Sequence, residues 1–370
     1  MEFILNFLIW SPDPNIFVIP GIDHPVRWYG LLFAGGFILS QQVMFWVFRS
    51  ENRPEKDVEK LTVYMVIAVI VGARLGHCLF YNPGYYLSNP VEIFKVWEGG
   101  LASHGGAIGM IVAIYIFSKR YPQYPMLWML DRLVIVAALT GAMIRTGNFF
   151  NSEMEGTMTN SNMGVVYARY TEDLLRYDDR KVDDVTFLKG GDMQSSEPGL
   201  HPITAKITYN RGVQLGAEDK DFFENNLRSA LLRYTEVVQH IDFGKDQPLA
   251  YKFYEEDGRA VAEIYGLGIS RHVAQLYEAF YCLILMALTM WIWKVKRFKL
   301  PQGFNFAVFM IILWSARFMD EFFKMNQEAF EENLVLNMGQ ILSIPAALSG
   351  VVMLILFLNS GKKTMSGDPR

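Results

Sequence analysis

Between Ile144 and Gly156 the chain reads Ile-Arg-Thr-Gly-Asn-Phe-Phe-Asn-Ser-Glu-Met-Glu-Gly. Arg145, Asn148, Asn151 and Glu153 fall inside this one short span, where an apolar segment gives way to a long polar one. Charged and amide side chains are costly at a membrane border, so their presence there points to a task. Arg74 and Arg317 share the setting of Arg145. Each of the three stands about 12–13 residues into an apolar segment, roughly 18–20 Å along a helix. A single arginine of this kind can snorkel to the headgroups. Three at one depth repel one another and favour an anion such as a phospholipid phosphate, which a guanidinium binds by paired, charge-assisted hydrogen bonds. Glu321 lies four residues after Arg317 on the same helix face and can pair with it. Glu153 and Glu278 can serve the other two. His104, in Ser103-His104-Gly105-Gly106, sits about one turn inside its segment. Beside cations its imidazole is expected to be neutral and able to take a proton. The alternative is a structural hydrogen-bonding group between helices. Tyr29 also fits an aromatic belt, and Asn148 and Asn151 also fit helix-end caps.

Groups at a common depth need helices to hold them there. The 370 residues are 51% hydrophobic and 19% charged, against about 25% charged in a typical soluble domain. The deficit is concentrated in charge-free windows: Trp28 to Phe48, Gly99 to Ser118, Ala279 to Trp293, Leu300 to Ala316 and Asn333 to Gly361. A bilayer-crossing helix needs roughly 20 mostly apolar residues. Seven segments are expected, namely Trp28–Phe48, Leu61–Tyr81, Gly99–Ser118, Leu130–Arg145, His272–Trp293, Gly303–Phe322 and Met338–Leu358. Arg49, Arg53, Lys56 and Lys60 follow the first; Lys119, Arg120 and Arg132 flank the third and fourth; Lys294, Lys296, Arg297 and Lys299 follow the fifth; Lys362 and Lys363 follow the seventh. The alternate short loops are poor in Lys and Arg. Because basic loops stay in the cytoplasm, this alternation puts the N-terminus outside and the C-terminus inside.

The fold class expected is thus an all-α polytopic membrane protein, seven transmembrane helices with a small mixed α/β extracytoplasmic head. Residues 1–145 carry helices one to four, 146–271 the head insert, and 272–370 helices five to seven with a cytoplasmic tail. Within the insert, Thr204–Tyr209 reads as a strand and Lys252–Tyr265 as a hairpin about Asp257-Gly258. Phe222–Val238 shows helical spacing at Phe222, Leu227, Leu231 and Tyr234. Met1–Trp10 lacks a basic region and a cleavage site, and reads as a short interfacial amphipathic piece. Cys78 and Cys282 lie in apolar segments, form no disulfide framework and read as small core residues. No spacing suggests a metal site.

Taken together these motifs resemble the prolipoprotein diacylglyceryl transferase family of the bacterial inner membrane. The resemblance rests on Arg145-Thr146-Gly147-Asn148-Phe149-Phe150-Asn151-Ser152-Glu153 with Gly156, on Trp28-Tyr29-Gly30, on Gly72-Ala73-Arg74-Leu75-Gly76 and on Ser103-His104-Gly105-Gly106. It continues through Arg271-His272, Gln275-Leu276-Tyr277-Glu278, Arg317 with Glu321-Phe322-Phe323, and Met338-Gly339-Gln340-Ile341-Leu342-Ser343-Ile344-Pro345. Ile144, Thr146, Val273 and Ala274 depart from the family pattern, and the insert before Arg271 is longer than usual.

The resemblance implies transfer of the diacylglyceryl group of phosphatidylglycerol to the lipobox cysteine of a preprolipoprotein, with release of glycerol phosphate. It implies His104 as base, with Arg145 and Arg317 stabilising the leaving phosphate, held by Glu153 and Glu321. Tyr29, Arg74, Asn148, Asn151, Glu153, Gly156 and Glu321 would contact substrate. No cofactor and no nucleic acid is expected. The expected partners are phosphatidylglycerol, the preprolipoprotein signal peptide and the bilayer, around a monomer. A membrane anion transporter or a noncatalytic chaperone of exported proteins would be the alternatives. Transporters often carry repeated halves, and none is visible here.

Overall fold

The computed structural model describes residues 7–21, 24–96, 99–161, 163–177, 181–297, 299–325 and 334–365. Long helices form at each apolar segment: α1 Trp28–Ser50, α2 Glu55–Phe80, α3 Ser103–Arg120, α4 Met126–Phe150, α5 Ala274–Lys296, α6 Phe304–Asp320 and α7 Met338–Met365. Five of them, α1, α2, α4, α5 and α7 (over Met338–Asn359), are long and apolar enough to cross a membrane. The remaining two are shorter: α3 has 18 residues, the last two basic, and α6 has 17. The chain divides into two compact units, one of residues 1–32, 145–278 and 319–337, the other of residues 33–144, 279–318 and 338–370.

In the second unit the helix ends follow local chemistry. After α1, Asn52 takes a positive φ of 55°, the left-handed turn that commonly closes a helix. Pro54 is extended, and Glu55 and Asp57 then place negative charge in the first turn of α2, where the helix dipole favours it. Helices α2 and α3 meet backbone to backbone. A Cβ on Gly72 would lie 2.5 Å from Gly105 O, and one on Gly105 would lie 2.3 Å from Gly72 O. With Gly76 and Gly109 these form two small-residue ridges four residues apart, the pattern that lets helices approach closely in lipid. The glycine after His104 therefore makes room for another backbone.

Around the basic loops the same unit is tied by ion pairs and caps. Arg132 holds Glu51 through two N–H groups, with Nη2 at 2.8 and 3.0 Å from its oxygens, and Trp293 Nε1 donates to Glu51 at 2.6 Å. Asp131 accepts the backbone N–H of Gly303 at 2.7 Å and of Phe306 at 2.9 Å, so a side chain of α4 satisfies donors at the start of α6. Met44, Phe48, Phe117, Met129 and Ile135 make the apolar core beside these contacts.

The first unit is built on strands. These are β1 Leu8–Trp10, β2 Asn15–Ile19, β3 His24–Arg27, β4 Val165–Tyr167, β5 Val182–Lys189, β6 Leu200–Tyr209, β7 Ile241–Asp242, β8 Tyr251–Glu256 and β9 Arg259–Ile269. β9 pairs antiparallel with β6 along one edge and with β7 and β8 along the other, while β5 flanks β6. The expected strand and hairpin are both present. Asp257 and Gly258 have φ of 52° and 71°, the backbone that a tight two-residue hairpin demands. Phe223, Leu227, Leu231, Ile203, Ile207 and Ile264 pack under this sheet.

Two expectations for this unit are corrected. Residues 8–10 are not an interfacial amphipathic piece: they form β1, paired parallel with β4 as Leu8↔Val165, Ile9↔Val166 and Trp10↔Tyr167. Met1–Asn6 lie outside the described residues. The expected helix over Phe222–Val238 is broken. A π-helical turn over Phe222–Leu227 widens the spacing, so Phe223, not Phe222, turns inward, and the extended backbone at Tyr234 leaves that ring 47% exposed.

Candidate active site

Helix α4 runs five residues beyond the expected Arg145, to Phe150. Asn148 therefore lies inside the helix. Three aromatic contacts pin this end: Trp10 Nε1 donates to Phe149 O at 3.0 Å, Trp10 stacks on Phe149, and Trp28 stacks on Phe150. A Cβ on Gly147 would lie 3.0 Å from Tyr29 Cδ2, so the glycine lets Tyr29 lie against the helix. Tyr29 is within electrostatic reach of Glu153 and Arg145.

Arg145 sits at the centre of this group. Its Nε lies 2.8 Å from Glu278 Oε2, with side chains only 16% and 10% exposed, and its Nη1 reaches Asn148 Oδ1 at 3.4 Å. The carboxylate that holds Arg145 is thus Glu278, where Glu153 was expected. Glu153 is instead gripped by amides: Asn148 Nδ2 donates at 3.3 Å and Asn151 Nδ2 at 3.1 Å. Both asparagines spend their side-chain N–H on Glu153 and neither caps the helix through it. Five N–H groups belong to a guanidinium. Among the described residues, Arg145 leaves three of them without a partner.

The turn after α4 is shaped by Gly156. A Cβ there would lie 2.5 Å from His272 O and 2.7 Å from Phe323 O. Its N–H donates to His272 O at 2.9 Å and its carbonyl accepts from Arg271 Nη1 at 3.1 Å. Gln275 Nε2 donates to Glu153 O at 2.7 Å, and Tyr170 OH to Ser152 O at 2.9 Å. Burial first, then the charges of Glu155 and Glu153, push the Tyr170 phenol up to about 12, so it remains a donor at neutral pH. Burial pulls Arg271 and His272 down. Glu321 is buried and faces Lys324 Nζ at 3.5 Å and Asn337 Nδ2 at 3.1 Å.

The other candidates belong to the second unit. Arg74, 4% exposed, spends its donors on backbone carbonyls: Nε on Ile93 at 2.9 Å, Nη1 on Gly99 at 2.6 Å and Gly100 at 3.3 Å, and Nη2 on Glu92 at 2.5 Å. Its guanidinium also lies over the Tyr86 ring. His104 is exposed in the first turn of α3, with Phe80 edge-on at 5.1 Å and Tyr81 stacked at 6.1 Å. Arg317 lies in the last turn of α6. Among the described residues no group of three or more His, Cys, Asp or Glu side chains is arranged to hold a metal ion.

The prolipoprotein diacylglyceryl transferase family model matches residues 14–356. The chain belongs to the prolipoprotein diacylglyceryl transferase family. Among proteins named phosphatidylglycerol–prolipoprotein diacylglyceryl transferase, it is 32% identical to that of Tolumonas auensis over 349 residues, covering 94% of this chain and 97% of the relative. It is 33% identical to that of Porphyromonas gingivalis over 355 residues, 94% of each chain, and 31% identical to that of Chloroherpeton thalassium over 349 residues, again 94% of each. These matches span nearly the whole chain, so they extend through the insert. With its five bilayer-length helices, this member of the prolipoprotein diacylglyceryl transferase family is a multi-pass membrane protein.

Sequence reasoning flagged Glu278 as a carboxylate able to serve one of the arginines, and the structure pairs it with Arg145; it flagged Gln275 only as part of a motif. It missed the role of Glu155 within the turn, and it missed Tyr170 and His240, which reach that turn from later in the chain and carry no local pattern.

Proposed function

We propose that this chain is a transferase that moves the diacylglyceryl group of phosphatidylglycerol onto the lipobox cysteine thiol of a preprolipoprotein. The cysteine sulfur forms a bond to the terminal glyceryl carbon, the bond from that carbon to the phosphate oxygen breaks, and glycerol phosphate leaves. The thiol proton passes to a base. The observation that carries the reading is Arg145: clamped by Glu278, with three N–H groups to offer, in a chain whose full-length relatives bear this activity in their names. A fixed guanidinium stabilises the charge that develops on a departing phosphate without reorganising at that moment.

Roles follow from the side chains. A thiol with an ordinary pKa of about 8.5 attacks as thiolate, and His104, exposed and without a hydrogen-bond partner among the described residues, is the proposed base. Arg145 and Arg317 are the proposed phosphate ligands. Tyr29, Asn148, Asn151 and Glu153 set the position of Arg145 and the headgroup, and Glu321 orders its own turn. Arg74 and Gly156 are proposed to shape the segments around them, since their polar groups are already engaged. An apolar cavity of about 410 Å³ in the second unit, lined by Phe37, Met44, Leu61, Met110, Val134 and Phe309, is of a size to take an acyl chain. All seven long helices are proposed to span the bacterial inner membrane, N-terminus outside, with the protein active as a monomer. The basic loops support that orientation.

The test is incubation of the purified protein with phosphatidylglycerol vesicles and a lipobox peptide. The peptide is expected to gain the mass of a diacylglyceryl group with stoichiometric glycerol phosphate. An unmodified cysteine, with a proven enzyme active in the same vesicles, overturns the reading.

A further inference from the structure

The loop after α4 carries two carboxylates that face opposite ways. Glu153 is exposed and bound by Asn148 and Asn151, whereas Glu155 is 7% exposed. The partner of Glu155 is His240, 85 residues away in the insert and 3% exposed, whose Nε2 meets Glu155 Oε2. Nδ1 of the same ring meets Glu236 O. Both ring nitrogens thus face acceptors. Tyr170 stacks on the imidazole with centroids 5.5 Å apart, and Tyr167 meets it edge-on at 6.0 Å. Beside this pair, Arg271 bridges Gly156 O and Gln239 O. Residues 155–156 are therefore tied twice to residues 239–240.

The loop needs such ties. Ser152 and Met154 hold φ of 53° and 60°, a backbone region that side chains other than glycine rarely adopt. We infer that His240 is a positioning residue for the transfer reaction, acting through Glu155 to hold the loop that keeps Glu153 beside Asn148 and Arg145. The physical link is the cost of a buried carboxylate whose side chain, among the described residues, is hydrogen-bonded by His240 and otherwise has only the nearby charge of Arg271. Remove the imidazole, and Glu155 must turn toward water. Because the two carboxylates alternate in direction along the loop, that turn draws Glu153 away from the amides that bind it. This inference rests on the activity proposed above.

The experiment uses full-length protein in phosphatidylglycerol vesicles with a lipobox peptide, and follows kcat, KM and thermal unfolding together. His240→Ala is expected to lower kcat by about 10–100-fold, the scale of a small misplacement near the reacting groups, with KM for the peptide little changed. The double variant Glu155→Gln with His240→Gln is expected to recover most of kcat, because a neutral amide pair keeps a hydrogen bond and buries no lone charge. If His240→Ala does not fold, His240→Gln alone takes its place, with an intermediate loss that the added Glu155→Gln restores. Wild-type kcat in a folded single variant, or a loss that only tracks the unfolded fraction, overturns the inference. No thioether from the wild-type protein is a separate outcome that removes the proposed activity. In that event protease cleavage of the 151–156 loop decides: faster cutting in the variant supports positioning, and an unchanged rate overturns it.

Discussion

Arg74 and Arg145 are enclosed guanidiniums near the C-terminal ends of α2 and α4, and their partners differ in kind. Arg74 faces four neutral carbonyls from the Glu92–Gly100 segment and an aromatic ring. Its donors are nearly spent, while among the described residues no carboxylate pairs with its charge. Arg145 is the reverse: Glu278 offsets its charge, and among the described residues most of its donors remain open. Burying a charge is tolerated either through hydrogen bonds or through an opposite charge, and the choice decides what the residue can still do. A guanidinium bonded out by carbonyls shapes backbone. One matched by a single carboxylate keeps the fork with which it can grip a phosphate.

Lysine substitution at both positions tests that contrast most sharply. Arg145→Lys keeps the charge and loses the fork, and kcat is expected to fall about 10²–10³-fold, as when one anion-stabilising donor set is removed. Arg74→Lys should act on folding instead. A lysine ammonium can serve three acceptors at most, so one or more buried carbonyls lose a donor, at about 1–3 kcal/mol each. The expected result is a lower unfolding temperature with kcat per folded molecule reduced far less than in Arg145→Lys. Equal kcat losses in the two variants, with equal folding, would break the comparison.

Asn148→Ala sharpens it on the Arg145 side. The amide contributes long contacts to both Arg145 and Glu153, so a loss of about tenfold is expected, about 1.4 kcal/mol, close to the lower end for a hydrogen bond to a charged group. A loss as large as that of Arg145→Lys would make Asn148 a substrate contact in its own right. The smallest effect is expected at Tyr170. Its pKa is raised to about 12 in the folded chain from about 10 unfolded. The fold therefore favours the neutral phenol, and that stability is complete below about pH 10 and is lost as pH rises toward 12. Tyr170→Phe should cost about 0.5–1.5 kcal/mol at neutral pH and flatten the alkaline fall of thermal stability. An unchanged alkaline fall would separate Tyr170 from that titration.

Much of this contrast was invisible in the sequence, for reasons that differ by residue. Arg74 and Arg145 stand at equal distances into similar apolar windows, and spacing along a helix reports depth, not partners. The helices were legible because long, mostly apolar stretches with few charges alternate with charged loops. The hairpin at Asp257-Gly258 was legible because two residues suffice to specify it. The β1–β4 pairing was not: its strands are three residues long and 157 positions apart in register, from Leu8 to Val165. Nothing next to Glu155 in the sequence marks it as buried, and the group that meets its carboxylate, His240, comes from 85 residues away in the insert. At Phe222–Val238 the spacing suggested a helix correctly over part of its length, but nothing in the composition announced a π-helical turn.

The parallel pair β1–β4 also sets an order of assembly. A ribosome releases Leu8 long before Val165, and several apolar helices emerge in between. β1 must therefore wait, unpaired, while those helices are made. Completion comes later still, because Met325 N–H closes on Glu155 O. Contacts so distant along the chain form slowly, since long loops must close before any contact rewards them. The strand-built unit therefore cannot close until residue 325 has been made, and a pause in translation before that residue would hold the Glu153 turn in an unfinished state.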